Sequence, residues 1–196
     1  MYEAIIGALV GLGLAAACGF RVFVPLLVLS IAARAGQVNL SGGMSWLTSD
    51  GAIIAFATAS VLEVIGYWVP WIDHGLDVVA SPAAIIAGTI AAASQFADLG
   101  PMLRWTAAII AGGGLAGVVQ ATSVGTRAVS TVTTAGVGNP IVSAVHGIWS
   151  LVLSVLAVVA PIVAGFVLLI VIPLIGWRLW RWFARRRAAR GGLAFD

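Results

Sequence analysis

The chain has 196 residues, of which 61% are hydrophobic and 9% are charged. Soluble domains have about 45–50% apolar and about 25% charged residues, so this composition excludes an ordinary soluble domain and predicts an integral membrane protein. The net charge of +3 includes six arginines in residues 178–196. A basic tail of this kind favours the cytoplasmic face of a membrane and attracts acidic lipid head groups. We interpret it as a membrane signal and expect no binding of nucleic acid.

Five apolar stretches follow one another along the chain. A spanning helix needs about 20 apolar residues, and the stretches run over residues 4–33, 52–71, 82–97, 104–126 and 145–176. They predict an all-α, polytopic membrane helical bundle with about five passes. Residues 128–144 begin with a part rich in threonine, serine and glycine, which indicates a surface loop or a re-entrant segment.

One signature occurs twice, 106 residues apart. It places small residues at every fourth position and ends in Gly-x-Arg. The two copies are Gly7, Gly11, Ala15, Gly19, Arg21 and Gly113, Gly117, Ala121, Gly125, Arg127. Small residues at this spacing line one helix face and let another helix approach closely, so we predict a packing role for the first three residues of each copy. The repeat divides the chain into residues 1–97, residues 98–177 and a basic tail, 178–196.

The distribution of arginines predicts an orientation. The positive-inside rule puts the tail, Arg34 and Arg104 in the cytoplasm, and it puts Glu3 and the loop 72–81 outside. The N-terminus then lies outside and the C-terminus inside. With this count of passes the two signature helices cross in opposite directions, which predicts an inverted-topology repeat.

The two signature arginines lie in apolar surroundings, where a charge costs at least about 2.5–3.5 kcal/mol. Arg21 and Arg127 therefore either form structural contacts or bind an anion, and Glu63, near the middle of its predicted span, is a candidate partner for both. If each helix breaks after Gly-x-Arg, the next segment begins with free N–H groups and a positive dipole end, which together favour an anion. The other candidates for this polar site are Gly19, Gly125, Ser123, Thr126, Asn139 and His146.

The sequence offers little evidence for catalysis. Asp73, His74 and Asp77 could supply metal ligands, but they lack a fourth ligand and fit a solvated loop better. We find no nucleophile–base–acid arrangement and no phosphate-binding loop. We therefore predict no enzyme activity, no metal and no cofactor.

Several segments resemble one protein family. They are Gly11-Leu-Gly-Leu-Ala-Ala-Ala-Cys-Gly-Phe-Arg21 with the following Val-Phe-Val-Pro25-Leu, Glu63-Val, the Asp73-to-Asp77 turn, and Gly138-Asn139-Pro140-Ile-Val-Ser143. Over residues 4–172 the chain resembles a bacterial membrane-protein family catalogued as domain of unknown function 4126. The resemblance implies a polytopic inner-membrane protein and implies no activity.

Two classes of function remain open from the residues. The first is a small channel or secondary transporter for an anionic or small polar permeant, with Arg21, Arg127 and Glu63 near the pathway. Since five passes are few for a complete pathway, we expect a homo-oligomer. The alternative is a membrane scaffold, an assembly factor or a lipid-handling protein, in which the buried charges are structural.

Overall fold

The computed structural model describes residues 2–67, 70–170, 173–174, 177 and 181, and this part of the chain forms a bundle of α-helices. The helices are α1 Tyr2–Cys18, α2 Phe23–Arg34, α3 Asp50–Gly66, α4 Pro70–Gln95, α5 Pro101–Ala107, α6 Gly114–Thr134, α7 Asn139–Val159 and α8 Pro161–Ile170. A 3₁₀ turn, Ser45–Thr48, precedes α3, and a π-helical segment, Ala108–Gly113, joins α5 to α6. Residues 101–134 are therefore one continuous helix of 34 residues.

Three helical stretches are long and apolar enough to cross a membrane. They are Asp77–Gln95, Pro101–Thr134 and Asn139–Val159. The hydropathy pattern of the sequence predicted five passes. Large apolar side chains also cover much of the outer surface; Val78 is 74% exposed and Val132 is 87% exposed. The all-helical prediction is confirmed, and the long apolar helices with an apolar exterior are what a membrane protein requires.

The chain reverses direction after the first Gly-x-Arg motif. The helix α1 ends at Cys18 and α2 begins at Phe23, so the stretch 4–33 is a helical hairpin and not a single pass. One cavity of about 600 Å³ is lined by Glu3, Gln37, Asp98 and Ala160, which brings both ends of this hairpin to the same end of the bundle. The prediction that Glu3 and the segment after α2 lie on opposite sides is therefore wrong.

No break follows the second motif. The helix α6 continues through Arg127 to Thr134, where Ala135 adopts a left-handed conformation (φ 52°), and α7 begins at Asn139. Most of the segment 128–144 is thus helical, with a short turn, and is not a long surface loop. Residues 72–81, predicted as an outside loop, lie within α4.

The first signature helix packs antiparallel to α4. A Cβ atom on Gly7 would lie 2.9 Å from the main-chain oxygen of Gln95, and one on Gly11 would lie 3.2 Å from the Cα atom of Ala92. As the residue number rises along α1, the contacted residue number falls along α4. The glycines let the two helix backbones approach this closely.

The second signature helix also packs antiparallel to α4. A Cβ atom on Gly113 would lie 2.6 Å from Oγ1 of Thr89, while Arg127 pairs with Asp77 nearer the start of α4. Both signature helices are antiparallel to α4, so they are parallel to each other. The prediction of an inverted repeat is wrong for these helices, because it counted the hairpin 4–33 as one pass.

Candidate functional site

The carboxylate of Glu63 caps the helix that follows the first motif. Its Oε1 accepts the Val22 N–H at 2.9 Å and its Oε2 accepts the Phe23 N–H at 3.3 Å. These N–H groups belong to the start of α2, where no preceding turn supplies acceptors and where the helix dipole favours negative charge. An acidic side chain of α3 therefore occupies the N-terminal end of α2, the helix end that was a candidate site for an external anion.

Arg21 lies deep in the bundle, 1% exposed. Its Nη2 donates to Oγ of Ser143 at 2.6 Å and to the main-chain oxygen of Ser143 at 2.9 Å. Its Nη1 donates to the main-chain oxygen of Glu63 at 3.4 Å, and its Cζ lies 4.4 Å from the centre of the Tyr67 ring. Arg21 thus ties the turn between α1 and α2 to α3 and α7.

Arg127 is equally enclosed, with 2% of its side chain exposed. It forms an ion pair with Asp77 of α4, in which Nε donates to Oδ2 at 3.1 Å and Nη2 donates to Oδ1. Its Nη1 lies 3.4 Å from Nδ1 of His146 on α7. The acid that pairs with Arg127 is therefore Asp77, a residue the sequence placed in a solvated loop.

The equivalent arginines of the two signature copies meet on one aromatic ring. The Cζ atom of Arg127 lies 4.7 Å from the centre of the Tyr67 ring, and the Tyr67 hydroxyl donates to Asp77 at 3.3 Å. Each cation–π contact contributes about 0.5–2 kcal/mol, depending on how far it is removed from water. We call the group Arg21, Glu63, Tyr67, Asp77, Arg127, Ser143 and His146 the charge cluster. Its two arginines and two acids sum to zero formal charge.

The other residues predicted for the polar site surround the charge cluster or lie farther along α6 and α7. Ser123 Oγ donates to the main-chain oxygen of Gly19 at 3.2 Å. Thr126 Oγ1 lies 3.3 Å from Nε2 of His146. Asn139, at the start of α7, donates through Nδ2 to Thr131 Oγ1 at 2.9 Å. These contacts join the turn after α1 to α6, and α6 to α7.

The residues predicted for packing do not all face a neighbour. Gly7, Gly11, Gly113 and Gly117 lie against α4, and Ala15 is fully buried. A Cβ atom on Gly19 would lie 2.6 Å from the main-chain oxygen of Ala116, so the first copy also contacts α6. Ala121 is exposed, and a Cβ atom on Gly125 would meet nothing within 4 Å. In the second copy, therefore, only the first two small residues of the signature pack against another helix.

The sequence patterns did not point to Tyr67, and they predicted the wrong surroundings for Asp77. Tyr67 follows Glu63 by four residues, a spacing that brings two side chains onto the same helix face, and that spacing was the available signal. Among the described residues no group of three His, Cys, Asp or Glu side chains lies close enough to hold a metal ion. The side chains of Asp73 and His74, and the basic tail 178–196 apart from Arg181, lie outside the described part.

Comparison with known proteins assigns the chain to a family. A family model described as Domain of unknown function (DUF4126) matches residues 8–181. No curated protein and no solved structure matches the chain significantly. Since the family model covers most of the 196 residues, the chain belongs to this family, whose activity is not defined.

Proposed function

We propose that this protein is a helical membrane scaffold or assembly factor, in which the buried charges hold the helices together and no permeant passes the charge cluster. The observation that carries the proposal is the enclosure of both signature arginines: Arg21 is 1% exposed and Arg127 is 2% exposed. Each contacts groups on other helices, and the acids Glu63 and Asp77 balance their charge. The formal charges of the charge cluster therefore sum to zero.

The energetics support a structural role. A charge at mid-membrane costs at least about 2.5–3.5 kcal/mol, so an intramembrane arginine must be offset by partners. Removing one partner of a buried ion pair typically costs about 3–5 kcal/mol, because the other charge stays buried. Since the contacts of the cluster join the turn before α2 to α3, α4, α6 and α7, they oppose sliding of these helices past one another.

Anion transport is the second candidate, and the position of Glu63 favours it. Its carboxylate occupies the N-terminal end of α2 beside Arg21, where an external anion would bind if the side chain moved away. A cavity of about 220 Å³ lined by Glu63, Tyr67 and Ala83 adjoins the carboxylate and offers room for that movement. In this alternative the permeant is an inorganic or small polar anion, and Glu63 competes with it.

For both candidates we propose a bacterial inner membrane and a cytoplasmic basic tail near acidic head groups, and for the transport candidate we also propose a homo-oligomer. Composition supports the membrane, and the six arginines of residues 178–196 support a cytoplasmic tail. The few long apolar helices of one chain support the oligomer, because a single copy offers little surface for a complete pathway.

One flux experiment separates the two candidates. The purified chain is reconstituted in liposomes, and chloride, nitrate and proton fluxes are compared for wild type, Arg21→Ala and Glu63→Gln, with Arg34→Ala as the control. Arg34 pairs with Asp50 on the exposed surface, away from the charge cluster. The scaffold predicts flux equal to that of empty liposomes in all four samples.

Transport predicts a different pattern. Wild-type flux would exceed the empty-liposome background, Arg21→Ala would abolish it, and Glu63→Gln would change its dependence on anion concentration. Arg34→Ala would match wild type. A saturable flux with this pattern would overturn the scaffold proposal.

A further inference from the structure

The cavity of about 600 Å³ lies at the end of the bundle where α1 and α8 begin and where α4 and α7 end. Its polar lining side chains are Tyr2, Glu3, Gln37, Asn39, Gln95 and Asp98, and its apolar ones include Ile6, Val10, Val158 and Ile162. The volume lies within the roughly 300–1,000 Å³ of small-molecule sites. Since α4 and α7 contain stretches long enough to span a membrane, a cavity where both helices end faces the membrane surface and is reached from water.

The lining side chains carry a formal charge of −2. It comes from Glu3 in the first turn of α1 and from Asp98 in the turn after α4, and none of the described lining residues is basic. Two helices begin and two helices end at the cavity, so the opposite ends of their dipoles offset one another. The charge of the two carboxylates therefore remains, and it favours a cation.

The arginines closest to the cavity along the chain contact other groups. Arg34 pairs with Asp50 on the exposed surface, and Nη1 of Arg104 donates to the main-chain oxygen of Gly42 at 3.0 Å. Within the described ranges, the side chains of Glu3 and Asp98 form no ion pair and no hydrogen bond. Both carboxylates can therefore pair with a ligand without breaking a contact of the bundle.

Gln95 supplies a buried hydrogen-bond acceptor. The residue is only 6% exposed, yet it lines the cavity. Its Nε2 donates to Oγ of Ser94 at 3.2 Å, and this hydroxyl donates in turn to the main-chain oxygen of Ala91 at 2.8 Å. Because the Ser94 hydrogen is already used, Oγ can only accept, which fixes the orientation of the Gln95 amide.

The amide oxygen of Gln95 is left without a donor. No group in the described part of the chain donates a hydrogen bond to Oε1. A buried acceptor that stays unpaired costs about 1–3 kcal/mol, so this oxygen favours a ligand that carries an N–H or O–H group. Together with the two carboxylates, it selects for a ligand that is both a cation and a hydrogen-bond donor.

The lining fits an organic cation better than a metal ion. Calcium takes six to eight oxygen ligands, and the described residues hold no group of three His, Cys, Asp or Glu side chains that could bind a metal. The wall formed by Ile6, Val10 and Val158 offers a metal ion no ligand, whereas it can cover a hydrocarbon group. The Tyr2 side chain also lines the cavity, and aromatic rings attract ammonium groups.

We propose that this cavity binds a protonated amine with an apolar body, whose ammonium group donates to Oε1 of Gln95 and is balanced by the carboxylates of Glu3 and Asp98. The hydrocarbon or aromatic part of the ligand lies against Ile6 and Val158. The ligand enters from water at the membrane surface. No residue of the charge cluster lines this cavity, so the proposal holds for a scaffold and for a transporter alike.

The test measures binding of 2-phenylethylamine by isothermal titration calorimetry. The full chain is placed in nanodiscs of phosphatidylcholine, which has no net charge, and the heats of empty nanodiscs are subtracted. One saturable site per chain is expected. Neutral 2-phenylethanol, which has a similar shape, and the anion 3-phenylpropanoate should bind at least about tenfold more weakly, because neither supplies the charge-assisted hydrogen bond. Calcium chloride should not displace the amine.

Four variants connect the binding to this cavity. Gln95→Leu removes the acceptor and should weaken binding by about tenfold or more. Glu3→Gln and Asp98→Asn, at exposed carboxylates, should each weaken it by up to about fivefold. Asp50→Asn removes one exposed acid that does not line the cavity and should behave as wild type. Thermal unfolding is compared first; if Gln95→Leu does not fold, the double variant Glu3→Gln/Asp98→Asn carries the test, since both positions are exposed.

Three results would overturn the proposal. The first is the absence of saturable binding up to the solubility limit of the amine. The second is binding of 2-phenylethanol as tight as that of the amine, or displacement of the amine by calcium. The third is an affinity unchanged in both Gln95→Leu and the double carboxylate variant, which would place the amine elsewhere. Because the readout is binding, it is independent of the outcome of the flux experiment.

Discussion

The two glycines that precede the signature arginines make a matched pair for testing the packing. A Cβ atom on Gly19 would lie 2.5 Å from Cβ of Val119 and 2.6 Å from the main-chain oxygen of Ala116. The Val119 side chain has some freedom to move, but the Ala116 oxygen belongs to the backbone of α6. On Gly125, the equivalent residue of the second copy, the same atom would meet nothing within 4 Å.

The thermal unfolding midpoint should fall in Gly19→Ala and rise in Gly125→Ala. Overpacking a tight contact costs about 1–3 kcal/mol, and for a chain of this size each kcal/mol corresponds to roughly 2–4 °C in the unfolding midpoint. Gly19→Ala should therefore lower the midpoint by about 2–12 °C. Gly125 lies inside α6, where alanine is favoured over glycine by about 0.5–1 kcal/mol, so Gly125→Ala should raise the midpoint by roughly 1–4 °C.

The assay is thermal unfolding of both purified variants and wild type in one detergent, followed by the helical circular dichroism signal. Size-exclusion profiles recorded before heating check that all three samples have the same oligomeric state. Equal shifts for the two variants, or an unchanged midpoint for Gly19→Ala, would mean that the turn after α1 does not pack on α6 as described.

Two further comparisons follow from the same geometry. Arg127→Met should lower the free energy of unfolding by about 3–5 kcal/mol, because Asp77, whose side chain is only 17% exposed, loses its partner. Arg34→Met, at an exposed ion pair, should lower it by less than about 1 kcal/mol. Denaturant titration of both variants in the same detergent checks this difference, and similar losses would contradict it. Gly112→Ala should destabilise the protein by about 1–3 kcal/mol, because its Cβ atom would lie 2.6 Å from the main-chain oxygen of Gly88. Gly114→Ala, which meets nothing within 4 Å, should be neutral or stabilising, and thermal midpoints that rank the other way would refute the close approach of α4.

Local sequence patterns predicted an all-helical chain and drew attention to its buried charged residues. Apolar stretches longer than about 20 residues indicate spanning helices whatever their partners, and the rarity of charges in them pointed to Arg21, Arg127 and Glu63. The break after Gly19 was also readable, since Pro25 follows at a position typical of a helix start. These signals depend on the residues close by in the sequence.

The relative directions and the contacts of the helices could not be predicted from these local patterns. The hairpin 4–33 contains enough apolar residues for one long pass, and composition does not show that the chain turns back at its middle. That single error reversed the expected direction of every later helix relative to the first. The partner of Arg127 was missed for a related reason, because Asp77 lies in a polar stretch that continues α4 instead of forming a loop.

The π-helical segment 108–113 controls a contact far along the chain. A π-turn holds one residue more than an α-turn, and each residue in a helix advances the side-chain direction by about 100°. Here the extra residue lets the adjacent Gly112 and Gly113 both face α4. Deleting one residue of this segment would restore a regular helix and rotate the whole of α6 by about 100° relative to α5, turning Arg127 away from Asp77. The direction in which the Arg127 side chain leaves α6 is therefore set by the π-helical segment, about four turns earlier in the same helix.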